Sequence, residues 1–381
     1  IAEKSKKERI AIEFDEFPYL VTANPAIPSI FQKYWDEELS QTNAYMILCG
    51  SSIGMMEREV LAYKSPLYGR RTGQWKLTQL PFKNVMEFFK ESDEMEKIIE
   101  TYSFTGGMPF YLVSLDLKKS AVENILLNIA KKGKPLLEEG ELLVKEELSE
   151  PTTYFSILHA IANGQTKQSD IANQVGMPAT GLARYLSNLQ QLGFVNKITP
   201  VTEKSSSKKS LYFIGDNFLA FWFRFIYANK SYIEEENDVK INELLKNQFT
   251  PYVGKVFEQV CTQALQELRK NGELSFNTIG TWWGPYADKV TGERKTAEID
   301  VVAIDKEGKS IIIAECKWQK NVDAVQLLST LKQKAQAVNW NVEARKEQYF
   351  LFAKSFKEKM PENVTLIDLK ALAKIFKTKR P

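Results

Sequence analysis

The apolar positions of this chain change rhythm twice. Up to about Leu148, short apolar runs alternate with helical patterns. Ile10-Ala11-Ile12-Glu13-Phe14 reads as a strand, Ile27 to Leu39 as a helix, and Tyr45 to Cys49 as a second strand closed by Gly50-Ser51-Ser52. Strand, helix, strand at this spacing is the signature of a parallel α/β sheet. Thr78 to Phe82 is expected to add a third strand, with helices through Glu100 and from Ser120 to Lys131. From Glu150 to Gly215 the pattern becomes helical and then alternates. Tyr154, Phe155, Ile157, Leu158 and Ile161 form one stripe; Lys167 to Val175 predicts a short helix stopped by Gly176, and Pro178 to Leu192 a longer one stopped by Gly193. Phe194 to Ile198 and Ser210 to Ile214 then read as two strands around a lysine- and serine-rich turn. Three helices followed by a β-hairpin spell a winged helix-turn-helix.

An aromatic stretch, Phe218 to Tyr227, and the acidic Glu234-Glu235-Glu236 lead into the third rhythm. There Pro251 to Lys270 predicts a helix. Strands are expected near Leu274 to Thr281, Ala297 to Ile304, Ser310 to Lys317 and Gln348 to Ala353, with a helix from Asp323 to Val338 between the last two. The expected divisions are 1–148, 150–215, linker helices over 216–250, and 251–381. The fold class is α/β: a parallel sheet with helices, a winged helix-turn-helix, and a second α/β domain.

Composition narrows the chemistry. With 44% hydrophobic and 26% charged residues over 381 positions, the chain can bury a large core and is neither disordered nor fibrous. Its net charge of +3 makes it no global polycation, so nucleic-acid contact has to come from a local patch. One exists: from Pro178 to Phe213, Arg184, Lys197, Lys204, Lys208 and Lys209 stand against Glu203 alone, a net +4. Thr180, Arg184, Ser187 and Asn188 fall on the outward face of the second long helix, and the turn from Glu203 to Ser210 would be the wing. The competing reading is a solvated face on a spacer domain. Three scattered cysteines, Cys49, Cys261 and Cys316, exclude a disulfide framework and a cysteine-rich zinc module. The single histidine, His159, excludes histidine-rich metal sites and is expected to pack. No apolar run approaches the ~18 residues of a membrane span, and IAEKSKKERI lacks a signal-peptide core. The expectation is a soluble cytoplasmic protein whose numbering begins inside a longer gene product.

Two places carry candidate catalytic residues. The first strand ends in Asp15-Glu16, and ligands of a parallel sheet bind beyond the carboxyl ends of its strands. In a Walker B arrangement Asp15 would orient a nucleotide-bound magnesium and Glu16 would polarise the attacking water. Ser51 at the end of the neighbouring strand could sense a γ-phosphate, and Arg70 and Arg71 could neutralise transferred charge. Apolar-D-E strings are also common at solvated strand ends, and no G-x-x-x-x-G-K-[ST] phosphate loop occurs in the chain.

The second place is Glu298 to Ile304 followed by Ile311 to Lys317, which reads as a hairpin. Asp300 on its first strand, and Glu315 and Lys317 sharing a face of its second, form the D…E-x-K pattern of PD-(D/E)-x-K nucleases. Two converging carboxylates hold a hard cation, Mg2+ or Mn2+, and the lysine steadies developing negative charge. A surface hairpin with an ordinary acid-lysine pair is the alternative, although Asp300 and Glu315 interrupt strongly apolar strands.

Phe14-Asp15-Glu16-Phe17-Pro18-Tyr19-Leu20, Leu48-Cys49-Gly50-Ser51-Ser52-Ile53-Gly54-Met55-Met56 and Pro66-Leu67-Tyr68-Gly69-Arg70-Arg71-Thr72 closely resemble the archaeal-type ATPase family of AAA-related P-loop NTPases. The resemblance covers nearly the whole chain, because this family carries a winged helix and a nuclease-like C-terminal domain in the same order. It implies that residues 1–148 are the later part of a P-loop NTPase sheet with a helical lid, that the intact protein binds ATP, and that Asp15 and Glu16 are the Walker B pair. Likeness to the nuclease core implies that Glu258, on the helix before the hairpin, is a third metal ligand beside Asp300 and Glu315. It further implies that Gln326, and less so Lys332, contact a nucleic-acid backbone. The expected function is an ATP-binding, DNA-binding protein with a metal-dependent phosphodiester-cleaving domain, acting on double-stranded DNA and open to homo-oligomerisation. The alternative is a non-cleaving ATP-dependent switch whose C-terminal domain only docks nucleic acid or a partner.

Overall fold

The computed structural model describes residues 1–148, 150–204, 206–287, 294–357 and 363–377. The chain divides into two compact units, Ile1–Thr78 with Glu141–Tyr154, and Gln79–Gly140 with Phe155–Pro381. Residues 79–140 thus group with the second unit rather than with the rest of 1–148.

In the first unit the alternating apolar run becomes β1 (Ile10–Phe14), parallel to β2 (Ala44–Leu48) with Ile10 opposite Ala44 and Phe14 opposite Leu48. The chain leaves β1 through Glu16, whose backbone is left-handed (φ 49°), and enters helix α1 (Phe17–Ala23). Phe17 and Val21 bury against Val60, with Phe14, Phe31 and Leu48 packed around them. Phe31 meets both Phe14 and Phe17 edge-on, with centroids 4.8 and 5.1 Å apart. The expected helix from Ile27 to Leu39 forms, but its last turn, Trp35–Leu39, widens into a π-helix.

The expected strand from Thr78 to Phe82 does not form. In the second unit Leu80 instead pairs with a turn, its N–H donating to the Gly107 carbonyl at 2.9 Å, and Pro81 caps a short helix, Phe82–Val85. Helix α2 (Pro135–Glu147) passes Gly140 beneath the fully buried Trp222, so closely that a Cβ at Gly140 would collide with the indole. The Trp222 indole N–H donates to the Leu137 carbonyl at 2.8 Å. The aromatic stretch expected to bridge domains is therefore core: Phe218, Phe221, Phe223, Phe225 and Ile226 are all buried.

The winged helix follows the sequence pattern closely. Helices α3 (Pro151–Ala162), α4 (Gln168–Val175) and α5 (Ala179–Leu192) precede the antiparallel pair β3 (Val195–Ile198) and β4 (Leu211–Ile214). Gly176 and Gly193 end α4 and α5 in the left-handed region (φ 73° and 84°), where a side chain would be strained. Leu182, Leu186 and Leu189 turn inward, and His159 packs edge-on against Tyr227.

Helix α6 (Asp238–Lys270) starts thirteen residues before its expected beginning and carries Pro251 in its interior. Leu245, Phe249, Tyr252 and Val253 are buried on both sides of the proline, so tertiary burial outweighs the lost backbone bond. Five strands follow in the order β5 (Thr278–Ala287), β6 (Arg294–Ile304), β7 (Ser310–Lys317), β8 (Lys346–Ala353) and β9 (Val364–Ile367). β5, β6 and β7 pair antiparallel; β7, β8 and β9 pair parallel. β5 lies later than the expected Leu274 to Thr281, because as an edge strand it accepts Gly284 and Pro285. Helix α7 (Ala324–Ala335) packs Leu328 and Leu331 over Ile299, Ile311, Ile313 and Leu351.

Candidate functional site: an acidic cluster on the C-terminal sheet

Alternation along β6 puts Glu298 and Asp300 on one face, and Glu258 meets them from α6. A carboxylate oxygen from each of the three lies within 4.8 Å of the others. Lys255, one turn before Glu258, sits 3.1 Å from Glu258 and 3.6 Å from Glu298. Asp300 is 8% exposed and accepts the Cys316 N–H at 2.7 Å. Burial, then the Asp300 carboxylate, push Glu258 well above the usual carboxylate range; burial, then Glu315, push Asp300 up as well. Two buried carboxylates that resist ionising, with Glu298 converging on them, are a donor set suited to a divalent cation, which would relieve the repulsion between Glu258 and Asp300.

Glu315 lies outside that group of three and is held by lysines. It is 3% exposed, and its oxygens accept from Lys317 at 2.8 Å and from Lys334 at 2.8 and 3.0 Å. The acids that cluster are Glu258, Glu298 and Asp300, with Glu315 beside them in a lysine clamp. Burial opposes the charge of Lys317, but Glu315 outweighs it and holds the ammonium above its ordinary value. Glu298 was visible as the residue two before Asp300. Lys334 had no sequence signal, since it arrives from α7. Gln326 sits exposed on the first turn of α7, its N–H donating to Asp323 at 3.0 Å, while Lys332 lies over the Tyr349 ring at 5.5 Å.

In the first unit Asp15 is exposed and its carboxylate accepts the Glu16 N–H at 3.0 Å, while Glu16 accepts the Ser51 N–H at 3.2 Å. Two acids missed by sequence reasoning, Glu146 and Glu147, also converge on this strand end. Glu146 accepts the Ser51 hydroxyl at 3.2 Å; Glu147 accepts the Ser52 hydroxyl at 3.1 Å and the N–H groups of Ile53 and Gly54 at 2.9 and 3.2 Å. Arg70 is committed to a bidentate pair with Asp36 at 2.8 and 2.7 Å and to the Pro66 carbonyl at 2.9 Å, which makes it a brace for this loop. Arg71 lies over the Tyr68 ring at 5.8 Å.

On the winged helix, Thr180, Arg184 and Ser187 are exposed along α5, and Lys197, Lys204, Lys208 and Lys209 are exposed on the wing. Lys209 pairs with Glu203 at 2.5 Å. Of the expected wing turn, residue 205 lies outside the described residues. Among the described residues no helix is long and apolar enough to cross a membrane.

This combination defines an ATPase-type α/β unit joined to a helix-turn-helix and a mixed α/β domain, and sequence comparison agrees. A family described as an ATPase domain predominantly from Archaea matches residues 1–115, the IclR helix-turn-helix domain matches 154–198, and a family of archaeal and bacterial proteins of unknown function, DUF234, matches 222–335. An uncharacterised Methanocaldococcus jannaschii protein, MJECL04, is 37% identical over 367 residues, 95% of this chain and 80% of its own length. The chain belongs to this archaeal ATPase family. A second M. jannaschii protein, MJ0424, is 44% identical over 52 residues, 14% of this chain and half of its own. The solved Walker-type ATPase PABY2304 of Pyrococcus abyssi is similar at 24% identity and a TM-score of 0.42, over 57% of this chain and 63% of its own.

Proposed function

We propose that this protein is an ATP-dependent, DNA-acting protein whose C-terminal domain cleaves phosphodiesters with a divalent cation held by Glu258, Glu298 and Asp300. The observation that carries the reading is the convergence of three carboxylates within 4.8 Å beside Lys255. A bound Mg2+ or Mn2+ would supply polarisation of the phosphodiester and a more acidic water. Lys334 neutralises Glu315 through both of its oxygens, so Lys317, whose side chain is 38% exposed, can turn toward charge developing on the phosphate. Arg184 on α5 contacts the backbone of duplex DNA, and the wing lysines extend that contact. Asp15 would hold the magnesium of a bound ATP and Glu16 would position water, with Ser51 linking Glu16 to Glu146. Such a protein works in the cytoplasm.

Incubation of plasmid with Mn2+ tests the cleavage reading. Nicking by wild type and its loss in Asp300→Asn are expected; equal behaviour of the two proteins contradicts it. One observation favours a second reading, a switch that docks nucleic acid without cutting. Glu315, which the D…E-x-K pattern makes a metal ligand, is already neutralised by two lysines. Wild type that binds duplex DNA but leaves it intact with either metal is the outcome that reading expects.

A further inference from the structure

The wing of the helix-turn-helix is fastened to the edge of the C-terminal sheet. The Val201 N–H donates to the Thr281 carbonyl at 3.0 Å, and the Trp283 indole N–H donates to the Lys209 carbonyl at 3.2 Å. Between wing and sheet lies a groove of about 750 Å³ lined by Lys167, Lys197, Lys208 and Lys209 on one side and by Trp283 and Thr296 on the other. Thr296 on its wall shares a strand face with two acids of the cluster. Trp283 stands directly across from Glu298 in the β5–β6 register, and Thr296, Glu298 and Asp300 alternate along one face of β6, about 7 Å apart from each to the next.

We propose that this groove is the path of a single-stranded nucleic-acid segment, held so that its phosphodiester backbone runs from the wing toward Glu298 and Asp300. Lysines along one wall suit successive phosphates, and an indole on the other offers a sequence-tolerant stacking surface for a base. The volume is that of a small-ligand cleft, room enough for a few nucleotides of a strand. An acidic peptide would satisfy the lysines but leave the indole and the run into the carboxylates without purpose. The inference rests on the cleavage reading for its direction, since it names the form of substrate that reaches the cluster. The strand contact itself needs no metal.

The test is fluorescence anisotropy of a labelled 20-nucleotide oligo(dT) with the full chain in EDTA, at two salt concentrations. The double variant Lys197→Ala/Lys208→Ala should raise Kd at least tenfold and flatten the slope of log K against log salt by about 1.4. Trp283→Ala should raise Kd at least fivefold, and Trp283→Phe should restore most of the affinity, which separates lost stacking from lost folding. Equal Kd for all four proteins would overturn the proposal. So would displacement by a poly-glutamate peptide as effective as by unlabelled oligo(dT); oligo(U) acting as well as oligo(dT) would support it and assign the site to either sugar. Because EDTA silences the acidic cluster, these results bear on the groove alone, while plasmid cleavage in Mn2+ bears on the cluster alone.

Discussion

Lys334 reaches across from α7 to lie 2.8 and 3.0 Å from the two oxygens of Glu315, a carboxylate only 3% exposed. Breaking a buried pair from one side leaves a charge without its partner, so the loss exceeds what the pair contributes. Lys317 remains as a second counter-charge and softens that loss. Lys334→Met is expected to destabilise the protein by about 1–3 kcal/mol, and Lys334→Met/Glu315→Gln to recover at least half of it. Urea unfolding of the three proteins measures this. A double variant no more stable than Lys334→Met would show that the lysine acts through packing.

Arg184 and Leu186 are two residues apart on α5, one exposed and one buried. Leu186→Ala should cost about 2–5 kcal/mol in unfolding free energy. Arg184→Ala should stay within about 0.5 kcal/mol of wild type in stability while weakening duplex binding and lowering the salt slope by about 1. Unfolding and salt-titrated binding on the same preparations separate the two roles.

Asp216 caps the helix that begins at Asn217, accepting the Leu219 N–H at 3.0 Å and a hydrogen bond from Gln79. Burial pushes its carboxyl up from 3.8 to about 6. A raised folded-state value means the folded protein binds the proton more tightly, so this group lowers stability as pH rises from about 4 to about 6 and costs a constant amount above that. Asp216→Asn keeps the cap and removes the titration. Relative to wild type, the variant should gain up to about 3 kcal/mol between pH 4 and pH 7. Urea midpoints at the two pH values give the sign, and a gain on acidification instead would refute the assignment.

Glu147 bonds the Ser52 hydroxyl and the amides of Ile53 and Gly54. Glu147→Ala leaves those two amides without their acceptor. Their hydrogen exchange should accelerate at least tenfold, while the amides that pair β1 with β2 keep their protection. Unchanged exchange at Ile53 and Gly54 would mean that the carboxylate contributes nothing to local order.

What the chain disclosed in advance depended on the range of the interaction. Gly176 and Gly193 mark helix ends because local backbone geometry demands them, and the apolar stripe of α5 shows its buried face by period alone. Asp300 was legible as an acid interrupting an apolar strand, and Glu298 was within reach of the same alternation. Pro251 misled, because a local rule against proline yields to burial of Phe249 and Tyr252 around it. Thr78 to Phe82 looked like a strand but finds its backbone partner in a glycine turn. Lys334 and Glu147 stayed hidden for a third reason. Their partners lie 19 and about 95 residues away, and nothing local encodes such a meeting.

Glu258, Glu298 and Asp300 are expected to bind one divalent cation together, and calorimetric titration of the full chain with Mn2+ measures this. A single site per chain is expected, weakened at least tenfold by Glu298→Gln and abolished by Asp300→Asn, with Asp15→Asn present in all three proteins to silence the other acidic strand end. No heat of binding in the parent, or equal affinity after Asp300→Asn, would contradict it.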